Sequence, residues 1–114
     1  MDMVSGMKPV TFLGDSLKAL RGFPDAARQD AGFQIDRLQQ GLQPDDFKPM
    51  PGVGAVVEAL RVWCQHGTFR VLYFARLVDA VLVLHASQKK TQATPKADVD
   101  LAARRLRDWT RTHP

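Results

Sequence analysis

Three apolar segments, Val56–Trp63, Phe69–Arg76 and Ala80–His85, follow one another with only the short connections Gln65–Thr68 and Leu77–Asp79 between them. Parallel neighbours require a crossover of about a dozen residues or more, whereas a tight turn is enough for an antiparallel pair. The spacing therefore predicts an antiparallel meander. Ala80–His85 is the most apolar of the three and is expected to be a central strand of the sheet.

The rest of the chain supplies the cover for this sheet. Pro9–Leu13 reads as a further strand ending at Gly14, and Ser16–Arg21 as a short helical turn carrying Leu17 and Leu20. Pro24 suits the first position of a second helix and Gly41 its stop. Between them Ala27, Ala31, Ile35 and Leu38 recur at helical spacing as one apolar stripe, with Gly32 either a propensity cost or a close backbone approach. Gln43–Gly54 is rich in proline and glycine and reads as a loop anchored by Phe47, Met50 and Val53. Thr94 is a suitable N-cap before Pro95, and Val99, Ala102, Leu106 and Trp109 form the stripe of a last helix ringed by Arg104, Arg105, Arg107 and Arg111. The order is strand, two helices, three strands, helix: an α+β fold with a small antiparallel sheet and helices packed on one face. Residues 1–8 are expected to be a flexible N-terminus and residues 9–112 a single domain.

A chain of 114 residues with one cysteine, Cys64, can form no internal disulfide. It shows no leader-like apolar run near its start and no stretch of about 20 apolar residues that could span a bilayer. The expectation is a cytoplasmic protein with no membrane association. Its net charge of +4 is uneven. Residues 1–54 carry six Lys/Arg against seven Asp/Glu, and residues 55–114 carry ten against five. An excess of that sign in one half points to an anionic partner, such as nucleic acid or an acidic protein.

The segment Val81–Pro95 concentrates the chemistry. It reads as a buried strand ending at His85, followed by a loop bearing Ser87, Lys89, Lys90 and Thr91. There is no Walker-type or dinucleotide-type glycine loop, no CxxC pair and no HExxH motif, and Glu58 is the sole glutamate. His66, His85 and His113 have no metal-ligand spacing, so neither a metal nor another cofactor is expected. Arg61, Arg70, Arg76, Lys89, Lys90, Tyr73 and His85 remain. Cleaving RNA without a metal needs a base for the 2′-OH, cations for the phosphorus oxygens and an acid for the 5′-oxygen. Histidine titrates near neutrality, and arginine offers phosphate a two-pronged fork. Each residue also has a structural reading: Lys89 and Lys90 as solvated surface, His85 as a packed strand-end residue, Arg76 as a solvated edge. Strand alternation puts Arg70 and Tyr73 on opposite faces, so one of them is structural unless a bulge intervenes, and Tyr73 is either a core tyrosine or a base-stacking ring. Trp63 and Trp109 read as core.

A set of short tags then makes the chain similar to a known family. Leu20-Arg21-Gly22-Phe23-Pro24, Lys48-Pro49-Met50, Glu58-Ala59-Leu60-Arg61, Phe69-Arg70-Val71-Leu72-Tyr73-Phe74 and Leu84-His85-Ala86-Ser87-Gln88-Lys89-Lys90-Thr91, continuing into Thr94-Pro95, Ala102, Arg104 and Arg105, resemble the RelE/HigB-type toxin superfamily in its phage-related HigB-like branch. The resemblance runs from about Val10 to Trp109. It implies a RelE-like sheet and an mRNA endonuclease, in many relatives ribosome-dependent, that leaves 2′,3′-cyclic phosphate and 5′-OH ends. It also implies neutralisation by a cognate antitoxin, usually of helix-turn-helix type. By the same resemblance Arg61 and Arg70 contact phosphate, Lys89 and Lys90 add phosphate contacts with one as a candidate base, and His85 is a candidate acid. Tyr73, Ser87, Thr91 and Arg76 are candidate RNA contacts. Where the branch typically carries phenylalanine, this chain has Ser87, which removes a stacking ring or supplies a hydroxyl. The alternative reading is a non-catalytic RNA- or protein-binding module that keeps the fold. A helix-turn-helix DNA binder fits less well, because the arginine-rich last helix has no partner helix and turn before it.

Overall fold

The computed structural model describes residues 7–77 and 79–113, so most of the segment expected to be flexible, and Val78 within the expected turn, lie outside the described residues. Eight elements follow in order: β1 (Val10–Phe12), α1 (Ser16–Arg21), α2 (Asp25–Gln39), β2 (Phe47–Pro49), β3 (Glu58–Cys64), β4 (Gly67–Phe74), β5 (Val81–Lys89) and α3 (Lys96–Thr112). The fold is α+β. Its five-stranded sheet has the order β1-β5-β4-β3-β2. β3, β4 and β5 form the expected antiparallel meander. β2 joins it antiparallel to β3, and β1 alone runs parallel, along the first three residues of β5. The central place falls to β4, with β5 next to it.

Four expectations need correction. The first concerns layers. Leu60, Val62, Phe69, Val71, Tyr73, Val81 and Val83 pack with Leu20, Phe23, Ala27, Ala31, Ile35 and Leu38 on one face of the sheet. Ala59, Leu72, Leu82 and Leu84 pack with Met50, Val53, Val57 and Ala102 on the other. The inner strands are apolar on both sides, and burying each such side chain is worth about 1.5–3 kcal/mol. Both faces must therefore be covered: α1 and α2 lie on one and α3 on the other, rather than all three together.

Second, a short strand, β2, interrupts the expected Gln43–Gly54 loop. Pro49 can belong to it because an edge strand has no outer ladder to which an N–H must donate. Met50 and Val53 are buried as the anchors expected of this segment. Third, the last helix starts at Lys96 with Pro95 at the cap position and no side-chain capping bond, so Thr94 does not cap it. Pro24 likewise precedes α2 as its cap residue.

The fourth correction bears on function. β5 does not stop at His85 but continues to Lys89. It also contains a bulge: Leu72 pairs with His85 and Tyr73 with Val83, which leaves Leu84 as an extra residue. A bulge of this kind puts two consecutive side chains on one side and resets the alternation. Before it Val81 and Val83 join the α1/α2 core, while Leu82 and Leu84 join the α3 side. After it Ala86 returns to the α1/α2 core and His85 faces Asp98 of α3. Ser87 and Lys89 follow the parity of His85.

Candidate functional site

Two rows of side chains cross the α3 side of the sheet toward the Cys64 end of β3 and the Lys89 end of β5. In the first, Arg61 of β3 stands opposite Arg70 of β4, which stands opposite Ser87 of β5. In the second, Trp63 pairs with Thr68 and Thr68 with Lys89. Laterally paired side chains are about 5 Å apart at Cβ, so the six form one continuous patch. The next row inward, Ala59, Leu72 and His85, already lies in or beside the apolar packing under α3.

Arg61 is held by Asp46 in the approach to β2. Its Nε and Nη2 donate to Asp46 Oδ1 at 3.2 and 2.7 Å, and its backbone N–H donates to the Asp46 carbonyl. The other carboxylate oxygen accepts the Trp63 Nε1 hydrogen at 3.0 Å. The Arg61 hydrogen bond holds the Asp46 carboxyl below the usual aspartate range, with the bond from Trp63 and the charge of Lys89 adding to it against the opposing effect of burial. Trp63 is not a core residue, in contrast to the expectation from sequence: its side chain is 59% exposed. The signal was present in its parity with Arg61, since an arginine near the end of a strand marks the wetter face.

Arg70 is buried, with only 3% of its surface exposed. Its Nη2 donates to the carbonyls of Thr91 and Gln92, each at 2.9 Å. Burial lowers its pKa, opposed by the charge of Asp98 and aided by that of Arg61. Arg70 therefore secures the turn after β5 from beneath, and that turn carries the remaining candidates. An open cavity of about 340 Å³ is lined by Thr68, Lys89, Lys90, Thr91 and Gln92. Lys89 Nζ lies 3.4 Å from Gln92 Oε1, and Lys90 is exposed. The Thr91 hydroxyl is engaged with the Ala93 carbonyl.

Three candidates lie apart from this patch. Tyr73 is 1% exposed on the α1/α2 face and donates its hydroxyl to Glu58 Oε1 at 2.8 Å. Burial, then that bond, pushes its phenol well above the ordinary range. At that burial it offers no ring face to a base, in contrast to the expected RNA contact. Arg76 follows the end of β4 remote from Lys89, exposed beside a cavity lined by Lys8, Leu38 and Glu58. The extent of β4 separates it from the patch. His85 is placed on the correct face by the bulge, but under α3: its side chain is 12% exposed and its Nε2 lies 3.3 Å from Asp98 Oδ1. Neither ring nitrogen makes a well-formed hydrogen bond among the described residues.

One cation of α3, Arg105, serves structure. Arg105 bridges the Leu84 carbonyl and the Asp15 carboxylate, at 2.8 and 2.7 Å. Its hydrogen bond lowers the Asp15 pKa. Its guanidinium occupies the space a side chain at Gly14 would need, where the backbone also has a φ of +56°. No group of three or more His, Cys, Asp or Glu side chains converges as a metal site among the described residues, and no helix among them is long and apolar enough to cross a membrane.

Chemically, the patch can hold an anion between Arg61 and the lysines and present an aromatic face beside it. Residues 18–107 match the family described as Phage derived protein Gp49-like (DUF891), which is more than half of the chain. No curated protein matches the sequence.

Proposed function

The chain belongs to the phage-derived Gp49-like family, a RelE/HigB-like toxin-type family of toxin–antitoxin systems, and from that premise we propose that it is a metal-independent endoribonuclease acting on mRNA. The family implies an antitoxin partner. In this reading the partner is of helix-turn-helix type, the toxin domain spans residues 9–112, and the protein works in the cytoplasm, with mRNA on the ribosome as its substrate. The observation that carries the reading is the six-residue patch of Arg61, Arg70, Ser87, Trp63, Thr68 and Lys89 next to the cavity of Lys90 and Thr91.

A phosphodiester seated in that cavity has Lys89 and Lys90 on its non-bridging oxygens and Arg61 at the flank. Preorganised cations of this kind stabilise the charge that grows on those oxygens as the 2′-oxygen attacks phosphorus. In this reading one of the two lysines is the base that takes the 2′-OH proton and the other is the acid that gives a proton to the departing 5′-oxygen. The P–O5′ bond breaks as the P–O2′ bond forms, leaving a 2′,3′-cyclic phosphate and a 5′-OH. Ser87 and Thr68 add hydroxyls at the edge. Arg70 acts as a positioning residue, holding the turn that bears the cavity.

The burial of His85 favours a second reading, a non-catalytic RNA- or protein-binding module, because it removes the imidazole assigned as acid from the open face. The two readings part on one experiment. The protein is expressed alone and with its antitoxin, and transcript ends are mapped and tested for cyclic phosphate, alongside Arg61→Ala and Lys89→Ala/Lys90→Ala variants. Cleavage by the unmodified chain that falls at least 100-fold in the lysine variant supports the nuclease. A folded chain that leaves growth and mRNA untouched, alone and in a translating extract, rules it out.

A further inference from the structure

We propose that Trp63 is a nucleobase-stacking platform whose orientation is set by Asp46, so that the site takes a single-stranded RNA with one base laid on the indole and the adjoining phosphate at the lysines. The inference rests on the RNA-directed reading above and extends it to a residue the family tags do not include.

Three observations converge on Trp63. It is the most exposed large apolar side chain among the described residues, at 59%, although it stands on a strand whose neighbours Val62 and Leu60 are fully buried. Its ring is not loose: the bond from Nε1 to Asp46 Oδ2 ties the polar edge of the indole down, and the same carboxylate grips Arg61 through its other oxygen. Its lateral neighbours are Thr68 and then Lys89, which line the basic cavity. A fixed aromatic surface flanked by cations is the arrangement that single-stranded nucleic acids use, since every base has a π-face and every linkage a charge. An apolar protein partner would be less well served, because the surroundings of the indole are charged and polar: Asp46, Arg61, Thr68 and Lys89. Ser87 lies in the adjacent row two strands from Trp63, and the indole is the one aromatic ring among the six side chains of the patch.

The test uses a Trp109→Phe background, which leaves Trp63 as the sole tryptophan of the two in the chain. A 2′-O-methyl RNA hexanucleotide, which cannot be cleaved, is titrated at low salt, with binding followed by anisotropy of a label on the RNA and stacking by quenching of Trp63 fluorescence. Quenching is expected to track binding. Trp63→Ala should weaken binding about tenfold or more and Trp63→Phe much less. Hexanucleotides with one abasic position separate stacking from a structural effect: at one position the abasic probe should lose affinity with Trp63 present and lose nothing further in Trp63→Ala. Tight binding without quenching, and with Trp63→Ala within twofold, overturns the platform and leaves the RNA-directed reading standing. Failure of the hexanucleotide to bind the unmodified chain overturns the platform, while transcript cleavage in the translating extract decides the RNA-directed reading separately. Loss of antitoxin binding in Trp63→Ala with RNA affinity intact assigns the indole to the protein partner instead.

Discussion

Arg61 and Arg70 stand directly opposite each other across the β3–β4 ladder, two guanidinium groups on one face of the sheet. Like charges in that relation destabilise a sheet. The pairing is tolerated because each has its own counter-group: Asp46 for Arg61, the Thr91 and Gln92 carbonyls for Arg70. Replacing Asp46 with alanine frees Arg61 next to an already buried cation. The expected loss is about 1–2 kcal/mol of stability, read as a shift of the urea midpoint. An unchanged midpoint would show that solvent already balances the pair.

The same contact sets a response to acid. The pKa of Asp46 is depressed in the folded chain, so its contribution is complete above the unfolded aspartate value, near 3.8, and is lost as pH falls through the lower folded value. Below that window Arg61 and Trp63 lose their common acceptor. Tryptophan emission of the Trp109→Phe chain should shift over this acid range and stay flat near neutrality. In Asp46→Asn the acid step should vanish, and its persistence would assign the step to another carboxylate.

Arg70 is expected to act through the turn it holds. Arg70→Lys keeps the charge but replaces a planar, weakly hydrated guanidinium with a compact, strongly hydrated ammonium on a flexible stem, which costs more to bury in this position. We expect about 2 kcal/mol of destabilisation, with amide exchange around Lys90–Gln92 rising more than in the β4–β3 ladder. Equal exchange in both regions would mean that the turn holds itself.

Tyr73 separates packing from chemistry. Tyr73→Phe removes the hydroxyl bonded to Glu58, at an expected cost of about 1 kcal/mol, and leaves RNA affinity and cleavage unchanged. A fall in cleavage with the fold intact would return this ring to the site.

His85→Gln tests the other buried candidate. The position beneath α3 predicts a lower Tm with the pH profile of RNA cleavage preserved in shape. Loss of one limb of that profile at unchanged stability would make the imidazole a chemical participant.

The sequence was most legible where a period was undisturbed. Ala27, Ala31, Ile35 and Leu38 declare the buried stripe of α2, and all four are buried. The parity argument that set Arg70 against Tyr73 also holds, since β4 has no extra residue between them. The far half of β5 was hidden because His85-Ala86-Ser87-Gln88-Lys89 is a polar run that only pairing with β4 keeps extended. β2 was hidden by Pro49, whose edge position makes it harmless. Trp63 was misassigned because a large apolar ring is ordinarily worth burying, which outweighed its parity with Arg61; the Asp46 bond then holds the exposed indole in place. The bulge has no sequence signal at all: Leu84 differs in no way from Leu82 until the register with Leu72 and Tyr73 is known.

That extra leucine gives the strand a frame, in the sense that a gene has one. Substitutions along β5 alter what each position offers, but they leave each position facing where it faced. Adding one residue between Val83 and Ser87 would do the reverse, sending Ser87 and Lys89 toward α2 and Ala86 and Gln88 toward the α3 side with every side chain still present, whereas losing one would let the strand pair without its bulge and leave Ser87 opposite Arg70. The chain therefore keeps part of its chemistry in the length of a strand rather than in its letters, and relatives should tolerate varied residues there far better than a single insertion.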